Sequence, residues 1–139
     1  MGLLKLLKKK EMQNFEKEVK TEIENWLDNI LKQEIPQNIV AFCFNLYDDG
    51  EQKWSMELVG TQRFDINDSD WPCDEITDLG TREIPFSWES AAEWNKVLEW
   101  TSSILKEYLE KGKYAKVLKA KRGVGIGFVD GDIEILYSK

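Results

Sequence analysis

The residues that most often perform chemistry in proteins are scarce in this chain. Its 139 residues include no His and two Cys, Cys43 and Cys73, which form no CxxC pair. Without His, the chain lacks the commonest general base, the usual partner of Ser and Cys nucleophiles, and the ligand of most zinc sites. The separated Cys indicate neither a disulfide framework nor a metal knuckle. The chain is therefore predicted not to be an enzyme and to hold no metal or cofactor.

Two segments look like ligand-binding motifs but lack residues that the chemistry needs. Residues 123–127 (GVGIG) are rich in Gly, yet they lie on a predicted strand and lack the Lys and Ser of a phosphate-binding loop. Residues 65–70 open like a calcium loop. However, Asp70 stands where that loop requires Gly, and Ile76 stands where it requires a bidentate Glu. No pair of carboxylates is singled out by its spacing as a hydrolytic pair.

The acidic charge is concentrated in the middle of the chain. The formal net charge is −7, and residues 37–111 alone hold six positive and sixteen negative groups, which is a net −10. Residues 64–79 contain no cation and six acids: Asp65, Asp68, Asp70, Asp74, Glu75 and Asp78. This balance argues against a nucleic-acid-binding protein and favours a basic partner.

Hydrophobic spacing predicts the first helix and the first two strands. Residues 10–34 carry a stripe at three- and four-residue spacing, and the residue before Pro36 ends the helix; the stripe comprises Met12, Phe15, Val19, Ile23, Trp26, Leu27, Ile30 and Leu31. Residues 38–47 predict a central strand that is buried on both faces. After a turn, residues 53–59 alternate, which predicts a half-exposed strand with Trp54 inside and Glu57 outside.

Residues 60–85 lose this periodicity and predict a long loop that contains the acidic segment. Long irregular loops in compact domains are usually functional or disordered. Trp71, Ile76 and Leu79 are spaced to attach the loop to the core, which favours an ordered, functional loop. A short strand is expected near residues 81–84.

A second helix is predicted over residues 91–111. Ser90 and Glu93 match a capping box at its start, and Gly112 suits the position after its end. A short basic helix over residues 113–121 follows.

The last element is a predicted hairpin over residues 123–137. Asp130-Gly131 indicates a two-residue type I′ turn, which would place Phe128 opposite Ile133, Ile126 opposite Ile135 and Val124 opposite Tyr137. The other face of the first strand shows Gly123, Gly125 and Gly127 in alternation. Gly weakens a strand, so something is expected to pack closely there. Either a helix of the same protein or the surface of a partner could fill this place.

The first ten residues (MGLLKLLKKK) are interrupted by Lys5 and too short for a secretory signal. Most simply they begin the first helix, and a role at a membrane surface stays open. No transmembrane segment is recognised, so a cytoplasmic location is expected.

The elements together predict one α+β domain over residues 1–139. Its expected architecture is a mainly antiparallel sheet of four to six strands with two long helices packed on it, both hairpins belonging to the same sheet.

About half of the chain resembles the small immunity proteins of bacterial polymorphic-toxin systems. The residues that resemble them are the strand–turn–strand NIVAFCFNLYDDGEQKWSMELVG, the acidic loop FDINDSDWPCDE and the ending GVGIGFVDGDIEILY. Members of that group are small, acidic, cytosolic and without enzymatic activity. The resemblance implies a protein partner, namely the toxic domain of a secreted or contact-delivered effector, often a nuclease.

The sequence therefore predicts an immunity protein that neutralises a basic toxin domain by direct binding. The expected contact residues are Asp65, Asp68, Asp70, Trp71, Asp74, Glu75 and Asp78. Trp71 could serve as an aromatic anchor for the partner or as an attachment of the loop to the core. Replacing Asp68, Asp70 and Asp74 together by Asn is expected to slow association with little effect on stability. An adaptor for a basic cellular protein, or an enzyme that works without His, stays open as an alternative.

Overall fold

The computed structural model describes residues 2–139, which form three α-helices and one six-stranded sheet. The helices are α1 (Gly2–Leu31), α2 (Trp94–Lys111) and α3 (Ala115–Lys119). The strands are β1 (Ala41–Gly50), β2 (Lys53–Thr61), β3 (Glu75–Thr77), β4 (Phe86–Glu89), β5 (Gly123–Phe128) and β6 (Glu134–Ser138). The predicted α+β class is confirmed, with a mostly antiparallel sheet in which β1 and β5 run parallel.

The sheet has the strand order β3-β2-β1-β5-β6, and β4 pairs with β2 farther along the same edge. Both predicted hairpins therefore belong to one sheet. The central strand β1 is buried on both faces over its first four residues, as the sequence predicts. Its alternate residues Phe42, Phe44 and Leu46 belong to the main core with side chains of α1 and α2, and we call this side the helix face. The opposite side, which contains Ala41 and Cys43, is the loop face.

Helix α1 is longer than predicted and only its second half packs on the sheet. It begins at Gly2 rather than residue 10, and it ends at Leu31 rather than residue 34. Val19, Ile23 and Leu27 are buried as expected. Met12 and Phe15 continue the same stripe but are exposed, and so is every residue from 2 to 18. The spacing predicts which face of the helix is apolar. It does not show how far along the helix other parts of the chain pack against that face.

Strand β2 was expected to be half exposed, and this prediction is wrong. Ser55 and Glu57 point away from the helices, yet both are buried. Part of the chain that follows β2 returns to this side of the sheet, where Arg82 pairs with Glu57. Residues 81–84 are also not a strand. The Thr81 hydroxyl lies within 3.0 Å of the backbone nitrogen and oxygen of Leu58, so a side chain occupies the place of a pairing strand between β3 and β4.

Two predicted helix ends differ in the structure. The first helical residue of α2 is Trp94, and Glu93 forms no side-chain cap, so the capping box is wrong. The Ser90 amide donates to the Gln52 carbonyl (2.9 Å) next to strand β4, which holds this residue outside the helix. Gly112 has φ −63°, so the left-handed C′ role predicted for it is wrong. Gly is favoured at this position because a larger residue does not fit there, since a Cβ would lie 2.6 Å from the Tyr108 ring.

The final hairpin has a longer connection than predicted. Val124 faces Tyr137 as expected, but Ile126 faces Glu134 because the register shifts after Val124. The type I′ turn is wrong, since Gly131 does not adopt a positive φ. The Val129 amide donates to the Leu46 carbonyl (3.2 Å), so the chain keeps following β1 beyond the end of β5. Pairing with the neighbouring strand therefore prevails over the local turn signal.

Candidate functional site

The acidic loop, residues 62–74, is attached to the loop face of the sheet by two aromatic rings. Trp71 is 1% exposed and packs with Ala41, Cys43 and Val59. The ring of Phe64 meets the Trp71 ring edge-on, with 4.9 Å between the ring centroids. Trp71 therefore contacts the core rather than the solvent, and it holds the loop in place.

The predicted close packing against the Gly residues of β5 is present, but the occupant is not a helix. A Cβ on Gly123 would lie 2.2 Å from the Phe64 ring, and a Cβ on Gly125 would lie 2.8 Å from the Trp71 ring. At Gly127 the backbone oxygen of Asp132 would be only 2.5 Å away. The acidic loop and the Gly residues, two separate candidates in the sequence, thus form one packed unit, and the Gly face is not free for a partner.

Arg63 links two of the acids predicted to bind a partner. Its Nη1 donates to Oδ2 of Asp68 (2.7 Å), and its Nε donates to Oδ2 of Asp74. Asp68 also accepts the Asp70 amide (2.9 Å), and these donors hold the pKa of Asp68 below its ordinary value. Replacing Asp68 and Asp74 would therefore remove both acidic partners of Arg63.

Arg82 forms a second cluster, which sequence reasoning missed. It donates from Nε to Oε2 of Glu57 (3.1 Å) and from Nη1 to Oε2 of Glu75 (3.0 Å). Glu57 is 2% exposed and also accepts from the Tyr47 hydroxyl (2.7 Å) and the Asn45 amide (3.0 Å). Burial alone would raise the pKa of Glu57, but these donors outweigh it and the pKa is lowered. A Glu whose buried oxygens are all paired is a structural group.

The seven predicted contact residues therefore divide by role. Asp68, Asp74 and Glu75 pair with Arg side chains, and Trp71 is buried. Asp65 and Asp78 accept backbone amides two residues ahead, at 2.9 and 3.0 Å. Within residues 2–139, the Asp70 carboxylate makes no hydrogen bond or ion pair. Asp65 and Asp70 are the exposed acids that no Arg neutralises.

A second acidic surface lies at the opposite end of β1, where three connections meet. The Ser90 amide bonds to Gln52, and the Val129 amide bonds to Leu46, which brings these connections together. We call this surface the sheet end; its exposed acids are Asp48, Asp49, Glu51, Glu89, Glu93, Asp130 and Asp132. None of them forms a salt bridge within the part of the chain that the structure describes. The acids come from three separate segments, so no local pattern could have predicted their meeting.

Apolar side chains are exposed at the sheet end as well. Trp94 is 60% exposed, and its ring meets the Phe128 ring edge-on at 6.2 Å between centroids. Val129 is also exposed. An exposed Trp held by a buried Phe and bordered by acids has the composition of an interface centre with a charged rim.

A groove lies between α1 and the start of α2. It has a volume of about 860 Å³ and is lined by Met12, Phe15, Trp88 and Trp100, with Glu16 and Glu99 among its polar residues. Its lining is mainly apolar, and the exposed half of the α1 stripe forms one wall.

The remaining reactive groups are few. Burial raises the pKa of the Cys43 thiol to about 12, so this thiol stays protonated at neutral pH. Among residues 2–139, no three Cys, Asp or Glu side chains are grouped so that they could hold a metal ion. No helix in the same range is long and apolar enough to cross a membrane.

In comparisons with known proteins, no family model, curated protein or solved structure matches this chain.

Proposed function

We propose that this protein is an immunity protein that binds and neutralises a basic toxin domain through an acidic surface, without catalysis. The charge supports this proposal, because residues 37–111 have a net charge of −10 even after their Arg and Lys are counted. A toxin that cleaves nucleic acid needs a basic cleft for the phosphate backbone. An acidic protein can occupy such a cleft, and opposite charges accelerate the encounter.

The observation that carries the proposal is the fixed conformation of the acidic loop. Two aromatic rings and Arg63 hold the loop on the sheet, while Asp65 and Asp70 face the solvent. A charged loop that is already ordered loses little conformational entropy on binding. In this proposal Asp65 and Asp70 attract the partner, Asp78 borders the contact, and Trp71, Asp68, Asp74 and Glu75 keep the loop in shape.

The sheet end is a second candidate for the contact surface. Its acids lack Arg partners, and Trp94 offers the exposed aromatic side chain that Trp71 cannot offer. The two surfaces lie about 23 Å apart along β1, judged from the rise per strand residue. At that separation a variant at one surface leaves the other unchanged, so each surface can be tested separately.

The test is rescue and binding with the toxin domain encoded next to this chain's gene. We expect co-expression to restore growth and the purified pair to form a complex. Asp65→Asn/Asp70→Asn should slow association several-fold at low salt, and the difference should shrink as salt rises. Asp130→Asn/Asp132→Asn is the matched double variant at the sheet end.

The outcomes are distinguishable. Slower association in the loop variant alone supports the loop as the contact, and slower association in the sheet-end variant alone moves the contact there. Unchanged affinity in both variants overturns the acidic-surface proposal. If no adjacent gene encodes a toxic domain and a basic cellular protein binds instead, the chain is an adaptor.

A further inference from the structure

The first three turns of α1 form an amphipathic segment whose apolar face has no partner within the described residues. Leu3, Leu4, Leu6 and Leu7 are between 50% and 73% exposed. They are spaced three and four residues apart, so their side chains lie on one face of the helix. Lys5, Lys8 and Lys9 share another face by the same spacing. Lys10 lies four residues after Leu6 and three after Leu7, so it ends the Leu face after two turns, and no acid occurs before Glu11.

The Leu face is turned away from the side by which α1 packs on the sheet. Two helical turns are close to seven residues, so Val19 and Met12 share a face with Lys5. Lys5 lies two residues from both Leu3 and Leu7, which places them on opposite sides of the helix. The core of this chain therefore cannot bury these Leu side chains without unwinding the helix.

We propose that this segment binds the surface of an anionic lipid membrane and thereby anchors the protein there. A helix that combines a Leu face with a Lys-rich face lies in the membrane interface, with its apolar side at the acyl boundary. The Lys side chains then reach the anionic headgroups. Charge complementarity favours an anionic lipid surface, since residues 2–10 carry four Lys and no acid.

The acidic body does not prevent this contact. The body packs on the side of α1 that carries Val19, Ile23 and Leu27, opposite the Leu face, so it lies on the far side of the helix from the lipid. Charges that lie farther from the lipid than the screening length of about 8 Å at physiological salt are largely screened from it.

The experiment is vesicle sedimentation of the full chain with phosphatidylcholine alone and with phosphatidylcholine containing about a third phosphatidylglycerol. We expect binding to the anionic vesicles, weakening as salt rises, and little binding to the neutral ones. Leu6→Glu/Leu7→Glu should lower the partition at least about tenfold, since each buried Leu contributes about that factor. Ile66→Glu/Ile84→Glu is the matched control, because it changes two other exposed apolar residues in the same way.

Two further variants separate the apolar and the electrostatic contributions. Lys8→Gln/Lys9→Gln should weaken anionic binding about tenfold, whereas Lys113→Gln/Lys116→Gln removes the same charge from the body and should not. Exchanging residues 7 and 9, as Leu7→Lys/Lys9→Leu, keeps the composition but mixes the two faces, and it should weaken binding several-fold. All variants change exposed side chains, so circular dichroism should show an unchanged fold.

Absence of binding to anionic vesicles overturns the proposal, as does an equal loss in the control variants. The alternative, that the Leu face binds a second copy of the chain, is tested by sedimentation velocity. A dimer that Leu6→Glu/Leu7→Glu dissociates, without vesicle binding, would assign the Leu face to a second copy. The toxin-binding proposal is unaffected by either result, because it concerns other surfaces.

Discussion

The two faces of the sheet are filled in opposite ways. On the helix face, the sheet itself supplies large side chains such as Phe42, Phe44 and Leu58, and the helices cover them. On the loop face, the sheet supplies Ala41, Cys43 and Gly125, and the large rings come from the loop. The helix face is mainly apolar, whereas the loop face also contains the Glu57 and Arg82 cluster.

This difference shows how a segment without regular structure is held in place. A helix orders itself by its backbone hydrogen bonds, but an irregular loop needs contacts that replace them. Here two rings fit over Gly residues, and Arg63 and Arg82 join acids that would otherwise repel each other. The loop should therefore belong to the same cooperative unit as the helix face.

The sharpest test of that expectation compares one fully buried ring on each face. Phe44→Ala and Trp71→Ala should each lower the free energy of unfolding by about 3–5 kcal/mol, because both rings are fully buried. Urea unfolding followed by circular dichroism measures this. A loss below about 1 kcal/mol for Trp71→Ala, with faster proteolysis within residues 62–74, would instead show that the loop detaches by itself.

The next effect concerns the Gly residues beneath the rings. Gly125→Ala should lower stability by about 1–3 kcal/mol, because its Cβ would lie 2.8 Å from the Trp71 ring. Gly131→Ala is the control, since its Cβ would be no closer than 3.7 Å to its neighbours. Equal thermal midpoints for the two variants would contradict the tight fit of the loop on the sheet.

A smaller effect is expected from the buried charge on the loop face. Glu57→Gln should cost about 1–2 kcal/mol at pH 7, because Arg82 and Tyr47 lose a charged acceptor. The folded-state pKa of Glu57 is below its ordinary value of 4.5, so its contribution is present above that pH and is lost on acidification. The difference in unfolding free energy between wild type and variant should therefore narrow as the pH falls below 4.5. If this difference in unfolding free energy does not change with pH, the charge of Glu57 does not stabilise the fold.

The smallest effects distinguish the acids within the loop. Asp68→Asn/Asp74→Asn removes both partners of Arg63 and should lower the thermal midpoint measurably. Asp65→Asn/Asp70→Asn removes the same charge from exposed acids without Arg partners and should leave the midpoint nearly unchanged. If the two double variants melt together, the Arg63 pairs contribute nothing measurable, as is common for exposed ion pairs.

Much of the fold could be predicted from the sequence because it depends on local spacing. The period of α1, the apolar run of β1, the alternation of β2 and the β5–β6 hairpin are all predicted from patterns among near neighbours in the sequence. The ends of elements were less predictable. Ser90 is held outside α2 by Gln52, and Val129 is drawn along β1, and both bonds are made with residues far away in the sequence.

The sequence by itself determined the fold class, the acidic middle of the chain and the need for something to cover the Gly residues of β5. Only the tertiary structure decided that the acidic loop supplies that cover. It also decided that Glu57 is buried, and that acids from three connections meet at the sheet end. The physical reason is that composition and period act between near neighbours, whereas burial and charge pairing depend on which distant segments the sheet brings together.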